Sequence, residues 1–418
     1  MTGISLRRAD RAPKTAFSEK HSGTHPGRPP WILPAVVFSQ FAGTSLWFAG
    51  NAVLGDLQQR IAPGSQAIGL ITSAVQLGFI AGTLIFAFFM ISDLFSPRRV
   101  FLVCSLAGAG TNLLLLIGGG WGWLLLIRFA TGFFLAGIYP VGMKIAAGWY
   151  RKGLGNALGW LVGALVLGTA FPHLIKGLEQ GLPFVVVLWT TSLVAAAGGA
   201  AIYLLVPDGP YLKKSPRFQV SAIAAVFRED RLRFAAGGYF GHMWELYTVW
   251  AFVPFMLTVY CALHPENVVN SSLWSFLIIA GGSIGCIAGG WISFAAGSTR
   301  VALWQLRLSG LCCLVSPLMF FLPLPLFLGF LLFWGVVVVG DSPQFSTLVA
   351  RSAPPAFVGS ALTIVNCIGF AITIVSIQLV SLLTAVVPPF MVFLFLLPGP
   401  VLGVWSLQRI RKSAPLAE

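Results

Sequence analysis

Twelve apolar stretches, each bounded by charged, polar or Pro/Gly-rich positions, follow one another from Trp31 to Leu407. A helix needs about 20 predominantly apolar residues to cross a bilayer. The pattern therefore predicts spans at Trp31 to Leu54, Ala67 to Ser92, Val100 to Ile117, Trp121 to Tyr150, Leu154 to Ile175 and Leu182 to Val206. Six more fall at Phe234 to Cys261, Ser271 to Ala296, Val301 to Leu322, Pro325 to Ala350, Phe357 to Ala385 and Pro388 to Leu407. The longest polar interruption, 207–233, divides the chain into two sets of six, 31–206 and 234–407. The expected fold class is an all-α membrane protein of 12 transmembrane helices in two pseudo-symmetric six-helix bundles. Residues 1–30 are basic, polar and Pro-rich and read as a disordered tail; 408–418 form a second, short tail. No short apolar segment with a small-residue cleavage site precedes the first span, so the leading tail reads as cytoplasmic rather than as a signal peptide.

Composition agrees: 57% of the residues are hydrophobic and 9% charged, against about 25% charged in a soluble domain. The net charge of +14 raises the question of nucleic-acid binding, but its distribution answers it. Of 26 Lys and Arg, 21 fall in the tails and in the gaps on one side of the predicted bilayer, including Arg98, Arg99, Arg151, Lys152, Arg300 and Arg351. Opposite gaps hold only Arg60 and Lys176. Cytoplasmic loops retain positive charge, so both termini are expected in the cytoplasm of a multi-pass inner-membrane protein, and no nucleic acid is expected as a partner. The six cysteines lie in or beside apolar runs without metal-ligand spacing and are expected to be free packing thiols. No cofactor and no metal site is expected, and the absence of a nucleophile–base pair or a phosphate-binding loop argues against an enzyme or an ATP-driven pump.

The loops after the second and eighth spans repeat. FFMISDLFSPRRV (Phe88 to Val100) aligns without gaps on GGWISFAAGSTRV (Gly289 to Val301), so that Ile91, Ser92, Arg99 and Val100 recur 201 residues later. Internal repeats of this kind are common in secondary transporters. In these features the chain resembles the major facilitator superfamily, whose halves each carry a G-x-x-x-D-R-x-G-R-R type loop after the second helix. Asp93, Arg98 and Arg99 match in the first copy, where Phe89 and Leu94 replace Gly and Arg. Gly289, Gly290, Gly297 and Arg300 match in the second, where Phe294 replaces the Asp. RFATGFFLAG (Arg128 to Gly137) resembles the family's R-x-x-x-G motif on the fourth helix, and the fifth span lacks the G-P-x-x-G-G ending of drug/proton antiporters. Small residues such as Gly159, Gly163 and Gly168 let helices approach closely. The resemblance implies that Asp93 latches the cytoplasmic side against basic loop residues and a neighbouring helix end.

Ionisable groups at bilayer depth cost at least about 2.5–3.5 kcal/mol on insertion scales and need a partner, a cavity or an escape to the interface. Glu245 lies 11 residues beyond Phe234 and Asp341 nine before Ala350, about 16 and 13 Å along their helices. His242 precedes Glu245 by three positions, so their side chains are within reach of one another. A His and a carboxylate at mid-depth are suited to carrying protons. The resembled fold puts helices one, four, seven and ten around the central cavity, which implies that His242, Glu245 and Asp341 line it and face Arg128. The alternative is a closed His242–Glu245 pair, with Asp341 capping a break at Asp341-Ser342-Pro343. On the fourth span Arg128 and Lys144 are 16 residues apart, about 24 Å and 160° in a continuous helix, and either is able to snorkel. Gln40, Trp47 and Asn51 of the first span are candidate substrate contacts, and Asn366 and Gln378 are polar positions of the eleventh.

These features and the resemblance together imply a carrier of a small polar or anionic solute working by alternating access, coupled to protons and favouring uptake over export. Its expected partners are that solute, protons and the lipid bilayer, and it is expected to be monomeric. The alternatives are a proton-driven exporter of drug or siderophore type, and a receptor or scaffold that kept the carrier fold without transport.

Overall fold

The computed structural model describes residues 29–61, 66–150, 154–178, 183–212, 218–219, 221–354 and 357–412. The expectations for the leading tail up to residue 28, for Arg151, Lys152, Lys213, Lys214 and Arg217, and for 413–418 lie outside them. The described residues are helical, with no strand. Among the described residues eleven helices are long and apolar enough to cross a membrane: Ala67–Phe88, Pro97–Leu116, Trp121–Trp149, Leu154–Leu178, Phe184–Leu205, Asp230–Leu263, Ser271–Ala296, Ser298–Met319, Leu324–Ser352, Val358–Leu383 and Pro389–Ile410. These are the second to twelfth spans. The first is not one continuous helix, as its hydropathy suggests. It runs Ile32–Thr44, opens over four residues, and resumes as Ala49–Ala52 and Leu54–Ile61. Thr44 Oγ1 donates to the Gln40 carbonyl (2.8 Å) and Ser45 Oγ to that of Ala42 (2.7 Å), the hydroxyl back-bonding that bends helices.

Two more spans break where the sequence places proline shortly after a small residue. The fourth divides into Trp121–Leu135 and Tyr139–Trp149, with Pro140 in the opening turn of its second piece. The tenth divides into Leu324–Val337 and Ser342–Ser352, with Pro343 in the same role. Proline is tolerated there because its missing N–H would have no helical partner. The seventh span begins at Asp230, four residues before its apolar run, and a short helix, Ala222–Arg228, occupies part of the expected linker.

Two seams join the halves. The fifth and eighth spans are hydrogen-bonded at both ends and in the middle: Asn270 Nδ2 to the Gly177 carbonyl (2.8 Å), Ser283 Oγ to that of Gly163 (2.9 Å), and Trp291 Nε1 to Asn156 Oδ1 (3.0 Å). The second and eleventh are joined by Gln378 Nε2 to Ser73 Oγ (2.8 Å) and by Thr373 donating to Gln76 Oε1. Within the first half the second and fourth spans meet backbone to backbone. A Cβ on Gly78 would lie 1.9 Å from the Phe129 carbonyl oxygen, and one on Gly132 the same distance from that of Val75. Gly168 is equally constrained, 2.3 Å from the Phe41 carbonyl, whereas Gly159 and Gly163 leave room for ordinary contact. The outer surface carries exposed Leu, Phe, Trp and Val side chains throughout, as a lipid-facing surface requires. All six cysteines are free.

Candidate functional site

Breaking a helix releases carbonyls that need donors, and the break in the first span is where Arg128 is bound. Its Nη2 donates to the carbonyls of Trp47 (2.5 Å) and Leu46 (3.1 Å), and its Nη1 to Asn112 Oδ1 (3.4 Å). Asn112 is held in turn by Thr191 and Ser192, each at 3.1 Å. The carbonyl end of a helix carries partial negative charge, so this cation rests on dipoles. It is fully buried rather than snorkelling, and it forms no ion pair among the described residues. Gly50 makes room for it, since a Cβ there would lie 2.8 Å from Nε. Its bonds stay within the first half and do not reach His242, Glu245 or Asp341.

Lys144 stands apart, beyond the break in the fourth span. Its Nζ is 2.6 Å from Asp93 Oδ1 and donates to the Ser92 carbonyl at 2.9 Å. Asp93 thus meets a lysine of the fourth span. Arg98 reaches the Tyr203 carbonyl (3.4 Å) and its ring, and Arg99 is exposed. In the second loop Gly297 turns the chain with φ 81°, Gly290 is buried with room for a Cβ 4.0 Å from Gly159 Cα, and Arg300 is exposed. A cavity of about 150 Å³ opens beside Asp93, lined by Thr83, Phe86, Pro140, Phe218 and Ser360 from both halves.

In the second half the expected His242–Glu245 contact gives way to two separate clusters. His242 crosses to the tenth span: Nδ1 lies 2.9 Å from Asp341 Oδ1, at ion-pair distance though off the line of a hydrogen bond, and Nε2 lies 2.7 Å from Ser342 Oγ. His242 and Asp341 are buried and Ser342 is half-buried. Asp341 does stand at the helix break, but its side chain makes no capping bond. Glu245, about 60° round the helix from His242, turns to the ninth span. Its Oε2 accepts from Ser309 Oγ (2.7 Å) and Cys313 Sγ (3.4 Å), and Trp334 Nε1 donates to Ser309 (3.1 Å). Its Oε1 is buried without a hydrogen-bond partner. Cys313 is therefore a hydrogen-bond donor and not merely packing.

Around mid-depth the halves meet through aromatic rings. Trp47 stacks on Tyr247 (5.6 Å between centroids, 27° between planes) and on Phe370 (5.7 Å, 26°), and Phe79 closes against Trp47 (5.0 Å) and Phe370 (4.6 Å). Trp250 packs on Tyr247 at 5.2 Å. Of the other first-span candidates, Asn51 donates to Thr72 Oγ1 (2.7 Å), and Gln40 is buried against the fourth span with neither amide atom bonded. Asn366 accepts from Tyr239 Oη at 2.7 Å. The sequence reading missed Ser309, Cys313, Trp334, Asn112 and the partners of Trp47. Only Asn112, a lone amide inside an apolar run, carried a signal.

The family model of the Major Facilitator Superfamily matches residues 32–377. No curated protein matches significantly. Among solved structures, the human organic anion transporter MFSD10 superposes with a TM-score of 0.71 at 16% identity, covering 91% of this chain and all of that one. A bacterial homologue of the human lysosomal transporter Spinster, inward-facing and unoccupied, gives 0.71 at 13% identity over 95% of this chain and all of that one. The nucleoside transporter NupG gives 0.68 at 14% identity, covering 91% and 99%. At these identities the likeness is one of fold.

Proposed function

Because this chain belongs to the major facilitator superfamily, a family of membrane transporters rather than enzymes, we propose that it is a proton-coupled importer of a small polar or anionic solute. It works by alternating access between its halves, in the inner membrane, as a monomer with both termini cytoplasmic. The observation that carries this reading is the buried His242–Asp341 contact, with half-buried Ser342 on the other ring nitrogen, joining the seventh span to the broken tenth. A histidine and a carboxylate in direct contact exchange a proton without leaving a lone charge in a low-dielectric site. Their position at a helix break lets the same residues respond when the backbone moves. An anionic solute fits Arg128, buried with only neutral partners. The concentration of Lys and Arg in alternate gaps supports the orientation, and a fold neighbour described as an organic anion transporter is in keeping with the solute class.

Proteoliposomes carrying a trapped pH indicator provide the test. Adding a panel of small acids outside is expected to acidify the lumen only where the same acid accumulates. Accumulation without proton entry removes the coupling, and efflux against the gradient reverses the direction. The second loop, with exposed Phe294 at the acidic position of the motif, favours a second reading as a transport-dead receptor. Saturable flux of any solute eliminates it.

A further inference from the structure

The aromatic cluster between the halves has a donor surplus. Trp47 Nε1, Trp250 Nε1 and Gln76 Nε2 are all buried N–H groups with no hydrogen-bond partner. They belong to one neighbourhood: Trp47 and Trp250 flank the same ring, Tyr247, and Gln76 sits one turn from Phe79, which touches Trp47. Two acceptors are also without a partner, Asn51 Oδ1, a turn beyond Trp47, and Glu245 Oε1, two residues before Tyr247. Buried donors are nearly always satisfied in folded proteins, so three of them beside one seam point to a state in which something else accepts from them.

Three properties of that acceptor follow. It is flat, because Trp47 turns a near-parallel face to Tyr247 and to Phe370 across the seam, at 27° and 26° between planes, with Tyr247 and Phe370 tilted 48° to each other. A planar ring entering as the halves part meets these faces in the offset-stacked geometry that aromatic groups favour. It is rich in acceptors, since the unpartnered groups are mainly donors. It is negative, because the nearest formal charge held by the Trp47 backbone is Arg128, which has no carboxylate beside it. The buried acids of the second half do not cancel this. Asp341 is occupied by His242, and the bonded oxygen of Glu245 turns to the ninth span.

We infer that the solute is a planar aromatic or heteroaromatic carboxylate, stacked between Trp47 and Tyr247 with its carboxylate accepting from Trp250 and Gln76. This rests on the carrier reading above but names a class within it. A sugar would bring no negative charge to Arg128, and an amine would bring a positive one.

Calorimetric titration of the purified, full-length protein separates these properties. The probes are benzoate and nicotinate, with cyclohexanecarboxylate as an equally charged but non-planar control and benzylamine as a cationic one. Benzoate or nicotinate is expected to bind at least ten-fold tighter than cyclohexanecarboxylate, with no binding of benzylamine. Trp250→Phe and Gln76→Leu, each removing an N–H, are expected to weaken that binding five-fold or more. Equal binding of cyclohexanecarboxylate, binding of benzylamine, no saturable binding of either planar acid, or unchanged affinity in both variants overturns the inference. If a variant does not purify as a monodisperse protein, the wild-type comparison of benzoate with cyclohexanecarboxylate decides alone. The two readings fail separately: aromatic acids that bind without flux overturn transport but not the solute class. Proton-driven flux of an aliphatic acid with no aromatic binding does the reverse.

Discussion

His242 and Asp341 meet across two helices, imidazole Nδ1 to carboxylate oxygen at 2.9 Å, with Ser342 Oγ on the other ring nitrogen at 2.7 Å. Both partners come from the break in the tenth span, so any motion that straightens or tilts Ser342–Ser352 changes both bonds together. Ser342 orients the ring without carrying a proton between the halves. Ser342→Ala is therefore expected to shift the pH dependence of uptake while leaving accumulation, and His242→Gln to abolish accumulation. Uptake profiles from pH 5 to 9 compare them.

Glu245 is a separate acid with its own bonds to Ser309 and Cys313. Glu245→Gln preserves shape and one acceptor oxygen, so the protein is expected to remain folded while pH-driven accumulation falls ten-fold or more. Full accumulation in this variant would remove Glu245 from coupling. Ser309→Ala is expected to have a smaller effect in the same direction.

Close backbone approach of the second and fourth spans makes Gly132 intolerant of any side chain. A methyl group there meets a carbonyl at 1.9 Å that cannot swing aside, and overpacking of this kind costs about 1–3 kcal/mol. Gly132→Ala is expected to lower the thermal midpoint in detergent by several degrees. Gly163→Ala, with 3.4 Å of clearance, is expected to leave it unchanged.

The Asp93–Lys144 pair is mostly shielded, with side chains 8% and 18% exposed. A double-mutant cycle on thermal stability with Asp93→Asn and Lys144→Gln is expected to give a coupling energy within the range of about 0.5–3 kcal/mol found for residues in contact. Additive effects would show that Lys144 is held by Ser92 alone.

Hydropathy made the count and order of the spans legible, because each apolar run is long and cleanly punctuated. The breaks were less so. Pro343 marked one, but the interruption after Thr44 arises from hydroxyls bonding back to their own helix, and Thr and Ser are common in unbroken spans as well. His242, Glu245, Asp341 and Arg128 stood out as rare charges in apolar surroundings, yet their pairing did not. Positions three apart on a helix are close enough to touch, but here they point to different neighbours, the tenth span and the ninth, and a periodicity cannot say which neighbour lies where. The partners of Trp47 were hidden for another reason. Phe79, Tyr247 and Phe370 look like any lipid-facing aromatic until the halves are brought together.

Proton coupling through the His242–Asp341 pair is tested most directly by Asp341→Asn in proteoliposomes. The measurement is the ratio of pH-driven accumulation to counterflow exchange for a solute that wild type accumulates. Exchange needs only alternating access, whereas accumulation needs the proton to travel with the solute. The variant is expected to retain exchange within about two-fold, less than the 1.4 kcal/mol that a ten-fold change represents, and to lose accumulation. Accumulation at the wild-type level in Asp341→Asn would contradict the role given to the pair.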